Sequence, residues 1–212
     1  MKRLFLILLS ACSLAATAQQ NQVVRRVNSA FLFPEFRHAK VMQTFGRHIE
    51  VERANIAINN GSFVYMQGDS VLTPSNNSIL GVQFDSLHLY MRVDGMVMGR
   101  VLASENYNNL LCVTAIDREL FTEETNRATA MAFLSMEAAR FGDYDIFDRD
   151  EGYPICDTYY FSIKGQVIPA IEREVKKRID PEKKREFKTM MADRWWSWRD
   201  PESLAKLLPL FP

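Results

Sequence analysis

Ile56-Ala57-Ile58-Asn59-Asn60-Gly61-Ser62-Phe63-Val64-Tyr65 carries the strongest short-range hairpin signal in the chain. Both central positions of a tight hairpin turn need positive φ, which asparagine and glycine adopt at least cost. Pairing outward from Asn60-Gly61 sets Ile58 against Phe63 and Ile56 against Tyr65, with four large side chains on one face. Gly68-Asp69 then turns the chain again, so that Met66 meets Val71.

The same logic extends from Arg37 to Asp117. Phe45-Gly46 forms a turn that sets His48 opposite Gln43. Leu87, Leu89, Met91 and Val93 alternate with His88, Tyr90 and Arg92, and Asp94-Gly95 folds the strand back so that Val93 lies beside Met96 and Met91 beside Met98. Asn108-Asn109 closes the next hairpin, which returns through Leu111, Val113 and Ala115. About seven or eight short strands follow one another in a meander.

Downstream the period changes. Thr125 to Arg140 places Ala128, Met131, Ala132, Ser135, Met136 and Ala139 at helical spacing, and Gly142 stops that helix. An acidic loop runs from Asp143 to Gly152. Thr158 to Ile163 alternates as a strand, Lys164-Gly165 turns, and Val167-Ile168 starts back. Asp180-Pro181-Glu182 and Asp200-Pro201-Glu202 each combine an N-cap aspartate, a proline at the first helical position and an acid in the first turn. The first starts a helix carrying Phe187, Met191 and Trp195. The second carries Leu204, Leu207, Leu208 and Phe211, and an earlier helix runs through Ile171, Val175 and Ile179. The expected fold class is therefore α+β, an antiparallel meander followed by a C-terminal strand pair and helices that pack on the sheet. It forms a single domain over residues 19–212, β-rich in 35–120, with a helix and acidic loop in 121–156 and the strand pair and helical tail in 157–212.

Residues 1–18 read as a signal peptide. Lys2 and Arg3 precede the apolar run Leu4 to Leu9, and Ala16-Thr17-Ala18 before Gln19 has the small-x-small form of a cleavage site. The run falls short of the ~20 apolar residues of a spanning helix. Leu9-Ser10-Ala11-Cys12 has the shape of a lipobox, which would leave Cys12 acylated on a membrane face. The short apolar run before it favours cleavage after Ala18 and release into the periplasm or beyond.

The 26 basic residues balance 26 acidic ones, so no basic excess points to nucleic acid or to an anionic membrane. No transmembrane segment is expected in the mature chain. Cys112 sits in the apolar run Leu110 to Val113, where a lone cysteine behaves as a small hydrophobe. An oxidising compartment would also permit a bridge to Cys156. Neither cysteine has a further ligand at metal-binding spacing, and no metal or cofactor is expected.

The strand Tyr159 to Gly165, then Ile168-Pro169-Ala170, a Lys/Arg-rich helix, Asp180-Pro181-Glu182-Lys183-Lys184 and a closing Leu204 to Leu208 resembles a family of exported envelope proteins of Gram-negative bacteria that has no assigned activity. The turns from Asn59-Asn60-Gly61 to Gly68-Asp69 are similar to theirs as well. The resemblance implies export and a β-then-α layout, and it carries over no catalytic residue.

Trp195, Trp196 and Trp198 stand within four positions beside Arg199. Exposed indoles next to a guanidinium suit a sugar ring or a protein interface. The competing role is structural, with Trp195 and Trp198 plugging the junction between two helices while Arg199 pairs with an acid. Asp143, Asp145, Asp148 and Asp150 offer oxygen donors, but their spacing does not match a calcium loop, and a solvated loop accounts for them. The charged run Glu172 to Glu186 reads as a solvent face. No G-x-S-x-G elbow, H-E-x-x-H or phosphate loop occurs, and catalytic residues are not identified. Two readings follow. The first is a non-catalytic envelope protein that binds a protein or glycan partner through its β surface or its tryptophans. The second is an envelope hydrolase, which requires two or three of His38, His48, His88, Asp117, Asp143 and Asp148 to converge in a cleft.

Overall fold

The computed structural model describes residues 24–74, 78–127 and 152–212. Its strands are β1 Arg25–Val27, β2 Arg37–Gln43, β3 His48–Ala57, β4 Ser62–Gln67, β5 Ser70–Leu72, β6 Ile79–Gln83, β7 Leu89–Asp94, β8 Val97–Glu105, β9 Asn108–Ile116, β10 Tyr153–Ile163 and β11 Gln166–Pro169. The helices are short: α1 Arg118–Arg127, α2 Glu172–Lys176, α3 Lys184–Met191 and α4 Pro201–Ala205. With 47% of residues in strands against 21% in helices, an antiparallel sheet in meander-like order sets the architecture.

Hydrogen-bonded neighbours run β1-β10-β9-β8-β7-β6-β2-β3-β4-β5, and β11 pairs with β10. β4 also meets β8 through Ser62 and Val97. Two backbone bonds secure that contact, Phe63 N–H to Met96 O at 3.0 Å and Met98 N–H to Gly61 O at 2.9 Å. The strands β8-β7-β6-β2-β3-β4 thereby form a closed ring, which removes exposed edges from that part of the sheet.

Alternate residues of the ring fill its interior. Val41 stands opposite Val82, Val82 opposite Tyr90, and Ile56 opposite Phe63. With Met98 they are almost wholly buried in one cluster. β8 then runs past the ring to pair with β9, and β9 with β10, as an extension of the sheet. There Leu110 and Phe161 cluster with Val175, Phe187, Leu204 and Leu207 of the C-terminal tail.

Several registers differ from expectation. Ile56 pairs with Phe63 and Ala54 with Tyr65, because Ile58 to Gly61 forms a four-residue loop closed by Gly61 N–H to Ala57 O at 2.9 Å. The offset is two residues, so the buried face is the one expected. Met66 does oppose Val71. In β7 and β8 a bulge between Arg92 and Asp94 shifts the ladder, which pairs Arg92 with Met98 and Met91 with Gly99. The inward side chain is therefore Tyr90, while Leu89 and Met91 are half-buried and Leu87 is exposed.

The turn joining β8 to β9 is Asn106-Tyr107, at φ 49° and 64°, and Asn108 and Asn109 belong to β9. His48 opposes Met42 rather than Gln43. β10 begins at Tyr153, ahead of Thr158, and turns at Lys164-Gly165 as expected. α1 begins at Arg118, and the expected helix beyond residue 127 and the acidic loop through Glu151 lie outside the described residues, as do residues 1–23. Asp200 caps α4 as read, accepting from Ser203 N–H at 2.9 Å, whereas Asp180 accepts from Glu182 N–H at 3.0 Å at the head of a 3-10 turn, Pro181–Lys183, that precedes α3. α3 ends at Met191, so Trp195 lies beyond it.

Candidate functional site

Between α3 and α4 the chain is a run of side-chain-held turns. Asp193 accepts from Trp195 N–H at 2.9 Å, and Ser197 Oγ accepts from Arg199 N–H at 3.2 Å. Asp200 then closes the run, taking Ser203 Oγ–H at 2.7 Å as well as the cap bonds. These bonds fix which indoles point in. Trp196 and Trp198 meet edge to face, ring centroids 5.6 Å apart, and pack half-buried against the C-terminal cluster. Trp195 is 79% exposed, and the Arg194 guanidinium lies 4.8 Å from its ring centroid. The inward pair is thus Trp196 and Trp198, not Trp195 and Trp198. Arg199 is exposed, and its side chain has no acidic partner among the described residues.

Trp198 and Arg199 form one wall of a cleft of about 590 Å³, with Tyr159, Asp157, Arg25 and Ile171 on the others. Its floor follows from strand pairing. β1 covers β10 from Tyr153 to Ile155 and β11 covers it from Tyr160 to Ile163. Residues 156–158 therefore have β9 on one side and no described strand on the other.

Inside, Asp157 accepts from Thr114 Oγ1 at 2.6 Å and is ion-paired with Arg25. A smaller cavity of about 350 Å³ shares Asp157 and Tyr159 and reaches Cys112, Arg100 and Glu202. Burial pushes the Cys112 thiol up to about 12, and it raises the Tyr159 phenol as well. A thiol held protonated is no nucleophile at neutral pH, and both oxygens of Asp157 are already engaged. The walls therefore offer aromatic faces, a free guanidinium and hydrogen-bonding groups, of the kind that orient a bound ligand.

The histidines do not converge. His38 Nε2 lies 3.3 Å from Glu50, in an exposed pair, and His48 is exposed at the start of β3. His88 Nδ1 bonds Asp85 at 2.8 Å. Asp117 caps α1 by accepting from Leu120 N–H at 3.0 Å, and it borders the cleft. Asp143 and Asp148 are outside the described residues. Among the described residues no three His, Cys, Asp or Glu side chains are close enough to hold a metal ion, and no helix is long and apolar enough to cross a membrane.

Asp85, which does not line the cleft, gathers a set of hydrogen bonds that sequence reasoning missed. It accepts from His88, from the N–H of Leu87 and His88, and from Arg37 at 3.0 Å. Arg37 in turn lies over the Phe33 ring. The His88 hydrogen bond is the main reason its carboxyl falls to about 2, with the Leu87 N–H next. The signal was local, since an aspartate reaching the N–H groups two and three residues on is an Asx turn.

No family model, curated protein or solved structure matches this chain.

Proposed function

We propose that this chain is an exported, non-catalytic binding protein of the envelope, which holds a protein or glycan partner against Trp195, Trp198 and Arg199 along the open stretch of β10. The observation that carries the reading is Trp195, 79% exposed on a segment that its neighbours Trp196 and Trp198 anchor to the core. An indole held in water on a fixed base supplies contact area with little ordering cost, and tryptophan and arginine dominate the energetics of known interfaces. Export rests on the positive, apolar and small-residue pattern of residues 1–18 and on the resemblance of the C-terminal stretch to exported envelope proteins.

Site-specific photocrosslinking in the producing cells tests both parts. A photoreactive residue at position 195 is expected to give a discrete adduct in the envelope fraction, on a chain whose mass shows loss of residues 1–18. The adduct should vanish on Arg199→Ala. The same probe at Tyr107, 92% exposed in the turn between β8 and β9 and outside the cleft lining, should give none. Equal adducts at both positions, or none at 195, would end the reading.

A further inference from the structure

Between α2 and α3 lies a second concavity, a groove of about 550 Å³, within the ~300–1,000 Å³ of small-molecule sites. Ile179, Phe187 and Met191 make its floor and Lys176, Lys184 and Lys188 its rim. It is separate from the cleft at β10 and has no part in the function proposed above.

The cations of this region divide into two sets. Lys177 and Arg173 bond Glu174, Arg178 bonds Gln166 at 3.0 Å, and Lys183 reaches the carbonyl of Pro209. The three lysines on the groove have no side-chain partner among the described residues. Glu172 is the one acid among the lining residues. The cations that bound the apolar floor are thus among those the fold leaves unused, Arg185 being another that has no side-chain partner among the described residues and does not line the groove. Ile179 and Phe187 are buried in the C-terminal cluster and Met191 is half-buried against it, so the core holds the floor in place and Met191 presents most of its open apolar surface.

We propose that this groove binds a single-chain amphiphile with an anionic head, a fatty carboxylate, with the lysines meeting the head and the floor residues meeting the chain. Lysines recognise such a head as point charges, and an apolar floor suits an acyl chain. An acidic peptide is the less favoured occupant, because helices offer no free ladder edge to which an extended strand could add.

Calorimetric titration of the purified protein with decanoate below its micelle concentration tests the assignment. Saturable binding is expected, weakened by added salt because exposed charges are screened, and little binding of uncharged decanol. Replacing all three rim lysines, Lys176→Gln, Lys184→Gln and Lys188→Gln, should cost about tenfold or more in affinity with the melting temperature unchanged. Lys177→Gln should change nothing, and Met191→Gln should weaken decanoate through the chain alone. No saturable binding, equal affinity for the triple variant, or tighter binding of an acyl-free acidic peptide through the same lysines would each overturn it.

Discussion

Cys112 and Cys156 stand on neighbouring strands and project from opposite faces of the sheet. Cys112 pairs with Tyr159 and Cys156 with Ala115 on one unbroken ladder, so the positions differ by an odd number of residues and their side chains diverge. Cβ vectors that point apart cannot be bridged without moving backbone, and both thiols are free. The protein should migrate identically with and without reductant. Iodoacetamide should label exposed Cys156 in the native state and buried Cys112 only after denaturation, as peptide mass spectrometry reads. A linked pair of peptides would contradict the register.

Asp85 makes stability depend on pH in a definite direction. Its carboxyl falls from an ordinary 3.8 to about 2, held first by His88 and then by the Leu87 N–H. A depressed carboxylate pKa stabilises the fold above the unfolded value and loses that contribution as pH falls through the folded one. Asp85→Asn should therefore melt below the wild type at neutral pH, and the gap should close between pH 3.8 and about 2. A gap constant across that window would show that the carboxylate charge is not what holds the turn.

Gly81 of β6 pairs with Met42 of β2 on one side and Met91 of β7 on the other. A Cβ there would lie 2.6 Å from Tyr90 O and 2.8 Å from Met42 Cε. The methionine can swing away, but the carbonyl belongs to a paired strand of the ring. Gly81→Ala is expected to cost about 2 kcal/mol, in the range of overpacked cores, while Gly68→Ala, with open space around it, pays only for its positive φ of 61°. Urea unfolding of both variants measures the difference.

The tryptophans should separate in the same assay. Trp195→Ala is expected within about 0.5 kcal/mol of wild type, as for an exposed position. Trp196→Ala should cost about 2–3 kcal/mol, somewhat less than a fully buried ring. Trp196 Nε1 is buried with no hydrogen-bond partner among the described residues, so Trp196→Phe should cost little, having removed an unpaired donor along with its area.

Some turns were legible because their chemistry is local, although the Asn60-Gly61 turn is a four-residue loop and the one expected at Asn108-Asn109 is Asn106-Tyr107. Lys164-Gly165 and the Asp200 cap announce themselves within four residues, and the structure has them as read. Registers were less so. Period-two alternation cannot see the extra residue of the bulge near Val93, and that one residue exchanges Leu89 and Met91 for Tyr90 as the inward set. The Ser62 to Val97 contact joins strands with no turn between them, so nothing in the spacing foretold a ring. At the candidate site the cluster of indoles was visible, but which of them faces water depends on Asp193, Ser197 and the tail packed behind them.

β8 belongs to two structures at once. Met98 at its start fills the ring, while Leu102 and Ala103 near its end line the cluster under the C-terminal tail. Among the described residues the ring and the tail cluster therefore share β8 as a common wall. A nick within residues 97–105 deprives both halves of a wall, and heating should melt them together in one cooperative transition.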